Sequence, residues 1–223
     1  MFRFCGIPRH HIYATGVAEC TGELCSVDFD THRWTEVEVE GRVSGSKVNM
    51  NTGGVHIVGT VQVDGKGYAG GMGPGRAPAA KSRYCSAQVT GGGGGHGGIG
   101  GRSNGQICTD CNGAIDEYPR GGATYGHTRF PVELGSGGGR GYDGKSLTGE
   151  GGQGGHGGGA IKLFAERHIH VDSTTAVTAQ GAIGGYYANA HGGSGAGGSI
   201  WLQAARVYGS IGVIDASGGL SRL

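Results

Sequence analysis

The sequence predicts an all-β chain, an irregular parallel β-helix of short strands joined to bundled extended glycine strands, with essentially no helix. Three observations predict it. Apolar and polar residues alternate at period two over short stretches, and no stretch has apolar spacing of three and four over helical length. Glycine supplies 54 of the 223 residues. It is concentrated in GGGGGHGGIGG (91–101), GSGGGRGYDG (135–144), GGQGGHGGG (151–159) and HGGSGAGG (191–198). Units of strand, corner, strand and glycine pair also recur along the chain, as the coils of a solenoid require.

Residues 1–33 are irregular and are expected to form a disulfide-pinned cap or the end of a preceding module. Residues 34–223 are expected to form one glycine-rich β-helical domain with a polyglycine insert at about 85–159. From Trp34 onward Val37, Val39 and Val43 alternate with Glu36, Glu38 and Glu40, the pattern of a half-buried strand. Val48-Asn-Met-Asn, Val55-His-Ile-Val and Val61-Gln-Val-Asp-Gly continue the alternation, with Gly53-Gly54, Gly59 and Gly65 as punctuation. Set side by side, the stretches beginning at Val55, Ile161 and Ile200 share one form, each followed by a glycine pair: Gly70-Gly71, Gly184-Gly185 or Gly218-Gly219.

Each glycine loses more backbone entropy on folding than any other residue, so this composition opposes order unless something offsets it. A glycine strand in the threefold extended conformation leaves its amides and carbonyls unsatisfied. Neighbouring strands can exchange those bonds when no side chain keeps them apart. The competing reading is a flexible linker. Bulky residues argue for order: Ile99, Tyr125, Phe130-Pro131, Tyr142 and Tyr186-Tyr187 interrupt the runs.

Six cysteines, Cys5, Cys20, Cys25, Cys85, Cys108 and Cys111, form an even set. Disulfides are the physical compensation for a chain so poor in core residues. The spacing does not choose among the connectivities that six allow. Three cysteines precede residue 26 and three lie between 85 and 111, so complete pairing requires at least one bridge between the two groups.

Eighteen basic against seventeen acidic residues give a net charge of +1, which provides no polyanion-binding surface; nucleic acid is not an expected partner. No apolar run approaches the length of a membrane span. The start MFRFCGIPRHH lacks the apolar core of a secretory signal, and no Asn-x-Ser/Thr sequon occurs.

The search for chemistry yields no expected catalytic, cofactor-binding or metal-ligating residue. His96, His156 and His191 each precede a glycine pair, and an imidazole N–H capping a glycine carbonyl explains that recurrence without a metal. His168 and His170 share one face of a strand but lack an evident third ligand. Cys108-Thr-Asp-Cys111 has redox spacing without a surrounding β-α-β pattern, and Gly141-Tyr-Asp-Gly occurs once where calcium-binding repeats recur. Asp28 with Asp30, or Asp116 with Glu117, are the carboxylates a polysaccharide-acting enzyme would use, but surface solvation explains them.

The set GGGGGHGGIGG, Tyr125-Gly, Phe130-Pro-Val-Glu-Leu-Gly-Ser-Gly-Gly-Gly, Gly157-Gly-Gly-Ala-Ile-Lys-Leu and Gly197-Gly-Ser-Ile-Trp-Leu resembles glycine-rich β-helical segments of large surface proteins of protists and plants. It covers roughly residues 85 to 219. The dense runs are also similar in kind to the glycine-rich ectodomain of the anaplastic lymphoma kinase receptors, which is built on bundled polyglycine helices. The resemblance implies an extracellular, disulfide-containing, non-catalytic module of a cell-surface protein or appendage, packing with itself or with neighbouring modules into filaments such as flagellar hairs. The alternative is a carbohydrate-binding or adhesive module with Trp34, Trp201, Tyr186 and Tyr187 as stacking platforms for glycans.

Overall fold

The computed structural model describes residues 11–14, 17–19, 26–30, 36–81, 88–103, 119–144, 150–187, 189–210 and 213–220. Among them are strands and no helix, and the two large sheets are parallel throughout. The seven-stranded sheet holds β1 (His11–Ala14), β3 (Ser26–Asp30), β4 (Glu36–Val39), β6 (Lys47–Ile57), β10 (Ala160–Val171), β12 (Ser199–Gln203) and β13 (Arg206–Gly209). The five-stranded sheet holds β2 (Val17–Glu19), β5 (Arg42–Ser44), β7 (Thr60–Gln62), β11 (Ala176–Thr178) and β14 (Val213–Asp215). A small antiparallel pair joins β8 (Gln88–Val89) to β9 (Tyr142–Asp143).

The register makes the sheets a stack of tiers. In the first sheet Ile12, Val37, Val55, Ile169 and Val207 align across β1, β4, β6, β10 and β13. Val27, Val48, Ile161 and Ile200 align across β3, β6, β10 and β12. In the second sheet Ala18, Val43, Val61, Val177 and Ile214 align. Period-two alternation puts these positions on one face of each strand, so Val37, Val55, Ile169 and Val207 lie over one another in successive tiers, as do Val43, Val61, Val177 and Ile214. Val37, Val43, Val48, Val55, Val61, Ile161, Leu163, Ile169 and Val177 are buried in a single core. Each such side chain contributes about 1.5–3 kcal/mol of burial.

Two expectations are corrected. Gly53-Gly54 does not punctuate: β6 runs unbroken from Lys47 to Ile57 through it. The repeat alignment also slips, because Val55 pairs with Ile169, whereas Ile161 pairs with Val48 and Ile200. Apolar residues at every second position look alike in either alignment, and only the packed register separates them. Within residues 1–33 the described residues form β1, β2 and β3, which pair into the same two sheets.

The glycine runs lie side by side and bond through their backbones. Gly135, Gly138 and Gly141 donate to the carbonyls of Gly158, Gly155 and Gly152 at 2.8, 2.9 and 2.9 Å. Gly152, Gly155 and Gly158 donate to Ala190, Gly193 and Ala196 at 2.7, 2.8 and 2.8 Å. Gly192, Gly195 and Gly198 donate to Gly185, Ala182 and Ala179 at 2.9, 2.9 and 2.8 Å. Meanwhile Gly193 and Ala196 donate to Gly139 and Ser136, both at 2.9 Å, so one segment serves several neighbours in turn. A Cβ placed on Gly138, Gly154, Gly155 or Gly192 would stand under 3.0 Å from the backbone of an adjacent segment. This block reaches beyond the expected insert: Gly67 donates to Gly157 and Gly181 to Ser217.

Candidate functional site

Three surfaces of the molecule carry chemistry. On the outer face of the seven-stranded sheet, Glu36, Gly54 and His168 align in successive tiers. Because Gly54 has no side chain, the Glu36 carboxylate reaches across its tier to His168 Nε2 at 2.5 Å and Arg167 at 2.9 Å. The register shifts between Ala165 and His168, a bulge that gives β10 an extra residue and re-aims Arg167 at this carboxylate. Two residues along, Glu38, His56, His170 and Tyr208 form the next row. His56 Nδ1 lies 3.4 Å from Glu38, the His56 and His170 rings stack at 4.5 Å, and His170 stacks on Tyr208 at 4.8 Å. Both carboxylates are therefore engaged by bases from later tiers, an arrangement that ties tiers together.

The second surface is the open tier at the β13–β14 end. Val207 and Ile214 are 51% and 52% exposed, whereas their register partners Ile169 and Val177 are fully buried. Val213 and Tyr208 beside them are exposed as well. Below this tier Gln180 bridges two carboxylates: its amide donates to Asp64 at 2.7 Å and its side chain to Asp215. The Ser217 amide at 2.8 Å and the Gln180 side chain hold the Asp215 carboxyl below the usual carboxylate range.

The third surface is a groove of about 940 Å³ along the glycine block. Its walls carry two ring pairs, His96 with Tyr125 at 4.9 Å and Tyr186 with His191 at 4.7 Å. His96 Nδ1 lies 3.0 Å from the Gly197 carbonyl, so the ring must donate there, capping a glycine carbonyl. Half-burial pushes the Tyr125 hydroxyl above the ordinary phenol range, opposed by the Ser136 hydroxyl that donates to it at 2.9 Å; Tyr68 and Glu133 add to the rise. Burial acts to raise the Glu133 carboxyl, but the backbone hydrogen bonds around it, led by the Val132 amide, outweigh burial and bring it below the usual range.

The residues expected to carry function are scattered. Cys5, Cys20, Cys25, Cys85, Cys108, Cys111 and Trp34 lie outside the described residues, as do Asp116 and Glu117. Trp201, on β12, has Lys162 Nζ over its ring at 4.7 Å and Phe130 at 5.4 Å. Tyr186 instead stacks on His191, and Tyr187 is exposed beside it; no ring contact among the described residues joins Trp201 to either tyrosine. Asp28 and Asp30 fall on β3, Tyr142-Asp143 forms β9, and His156 lies in the glycine block. Among the described residues no group of three His, Cys, Asp or Glu side chains is placed to hold a metal ion, and no helix is long and apolar enough to cross a membrane. Sequence reasoning missed the Glu36–Arg167–His168 cluster and the Glu38–His56–His170–Tyr208 row. The Glu36/Glu38 alternation and the His168/His170 pair on one strand face were the local signals, but nothing local joins them, because the partners come from remote tiers.

No protein-family model, curated protein or solved structure matches this chain.

Proposed function

We propose that the chain is a non-catalytic structural module of an extracellular surface protein or filament, and that it packs end to end with further modules. On this reading the tiers are the coils of an irregular parallel β-helix. The glycine block is a bundle of extended threefold strands, which the recurrence of donation to one neighbour at every third amide supports. The observation that carries the function is the open tier. Positions that are sealed in the middle of the stack stand exposed on Val207 and Ile214, on strands whose second edge no described strand pairs with. A further tier of the same pattern would bury them. Engagement of Glu36 by Arg167 and His168, and of Glu38 by His56, also favours stacking over catalysis. The carbohydrate-binding alternative has less support, since Trp201 is covered by Lys162 and stands apart from Tyr186 and Tyr187.

Sedimentation velocity over a concentration series tests the proposal. The wild-type chain should associate as concentration rises, and the double variant Val207→Lys with Ile214→Lys should stay monomeric with an unchanged melting temperature. A wild-type chain that remains monomeric at every concentration, or a variant that associates equally, would overturn it.

A further inference from the structure

The groove along the glycine block is bounded by segments that bond to one another: 91–96 to 191 and 194, 93 to 101, and 219 to 195. Inside the block, glycine is required because the next backbone leaves no room for a Cβ. At Gly100 a Cβ would meet Gly93 and Gly122 under 3.0 Å away. At Gly97, Gly98 and Gly101, three residues that line the groove, a Cβ would meet nothing within 4 Å. None of the three has positive φ, so neither backbone conformation nor packing among the described residues demands glycine there. One side of segment 97–101 is thus packed against the block and the other faces the groove. Arg102 is the only Lys, Arg, Asp or Glu among the described lining residues, so an occupant need not be charged. Ile99 and Ile183, both exposed on the walls, offer apolar contact.

We propose that this groove binds an extended, uncharged, glycine-rich polypeptide strand from a neighbouring module, which continues the block by one more segment. The occupant follows from continuity. The segments forming the walls already pair by backbone hydrogen bonds at separations only glycine permits, and a strand with side chains toward the walls would be held away from the open backbone of Gly97, Gly98 and Gly101. Arg102 is the one charged side chain a charged glycan could use, and the hydroxyls and His and Tyr rings of the walls make an uncharged glycan the competing occupant that the test must exclude. The inference rests on the modular assembly proposed above but uses a separate site, since neither Val207 nor Ile214 lines the groove.

Fluorescence anisotropy with a labelled peptide of repeated Gly-Gly-Ser tests it, with an Ala-Ala-Ser peptide and a labelled cellohexaose as the other arms. The glycine peptide should bind the wild-type chain, and the double variant Gly98→Val with Gly101→Val should bind it at least tenfold more weakly at an unchanged melting temperature. The Val207→Lys, Ile214→Lys variant should bind it like wild type, which separates this site from the stacking surface. If the valine variant melts early, hydrogen exchange of the wild-type chain decides: bound peptide should slow the amides of 97–101. Failure of the glycine peptide to bind, equal binding of the alanine peptide, preferential binding of cellohexaose, equal binding by a stable valine variant, or no protection at 97–101 would each overturn the proposal.

Discussion

Gly154 and Gly98 are the same residue with opposite obligations. A Cβ on Gly154 would press into the backbone at Gly138, while one on Gly98 would meet open space. Gly154→Ala should therefore cost on the order of 3 kcal/mol, as backbone cannot swing aside as a side chain can. Gly98→Ala should change stability by no more than about 0.5 kcal/mol. Thermal melts of the two variants check the contrast. Asp215 sets a pH dependence at the same scale. Its folded pKa lies below that of the unfolded chain, through the Ser217 amide and the Gln180 side chain. The stability it adds is complete above the unfolded value and is lost as pH falls through the folded one. Asp215→Asn should accordingly flatten the decline of melting temperature on the acid side of about pH 4, with little change at neutral pH in the slope of that curve. An unaltered acid limb in the variant would show that Asp215 contributes nothing to it.

Along the elements, position in the stack governs the worth of each apolar side chain. Ile169 and Val207 occupy the same register position on β10 and β13, one sealed between tiers and the other half exposed. Ile169→Ala should cost about 2–5 kcal/mol and Val207→Ala about 0.5 kcal/mol in the monomer, readable from denaturant unfolding. The glycine segments make a separate prediction. The amides of Gly135, Gly138, Gly155, Gly158 and Gly193 are all bonded to neighbouring backbone, so they should exchange with deuterium slowly, at rates comparable to β6 and β10. Rapid exchange there would mark the runs as tethers. The bulge at Arg167 belongs to this scale too: it turns one residue of β10 toward Glu36, which a strictly alternating strand would not do.

For the molecule as a whole, two cores coexist with different chemistry. The tiers are held by aliphatic side chains stacked in register, and the glycine block by main-chain hydrogen bonds between segments that have no side chains to bury. The Asp64–Gln180–Asp215 bridge lies where the five-stranded sheet hands over to that block. Among the described residues the tiers leave apolar side chains exposed at β13 and β14, and the block leaves an open groove. The proposed extracellular location makes its own prediction: mass spectrometry of the unreduced protein should find all six cysteines protected from alkylation.

The sequence by itself determined that Val37, Val39, Val43, Val48 and Val55 face one way and their polar neighbours the other, because strand geometry reverses at every residue. It also determined that the described residues would form strands and no helix, and that order in the glycine runs required backbone partners. Tertiary structure alone decided that Val55 lies beside Ile169 rather than Ile161, that β6 runs through Gly53-Gly54, and that Glu36 crosses a tier to reach Arg167 and His168. The reason is physical. A period-two pattern is unchanged by sliding one apolar strand along another by two residues, and a glycine carries no side chain to record which neighbour it approaches, so register and partners emerge only when the tiers are packed.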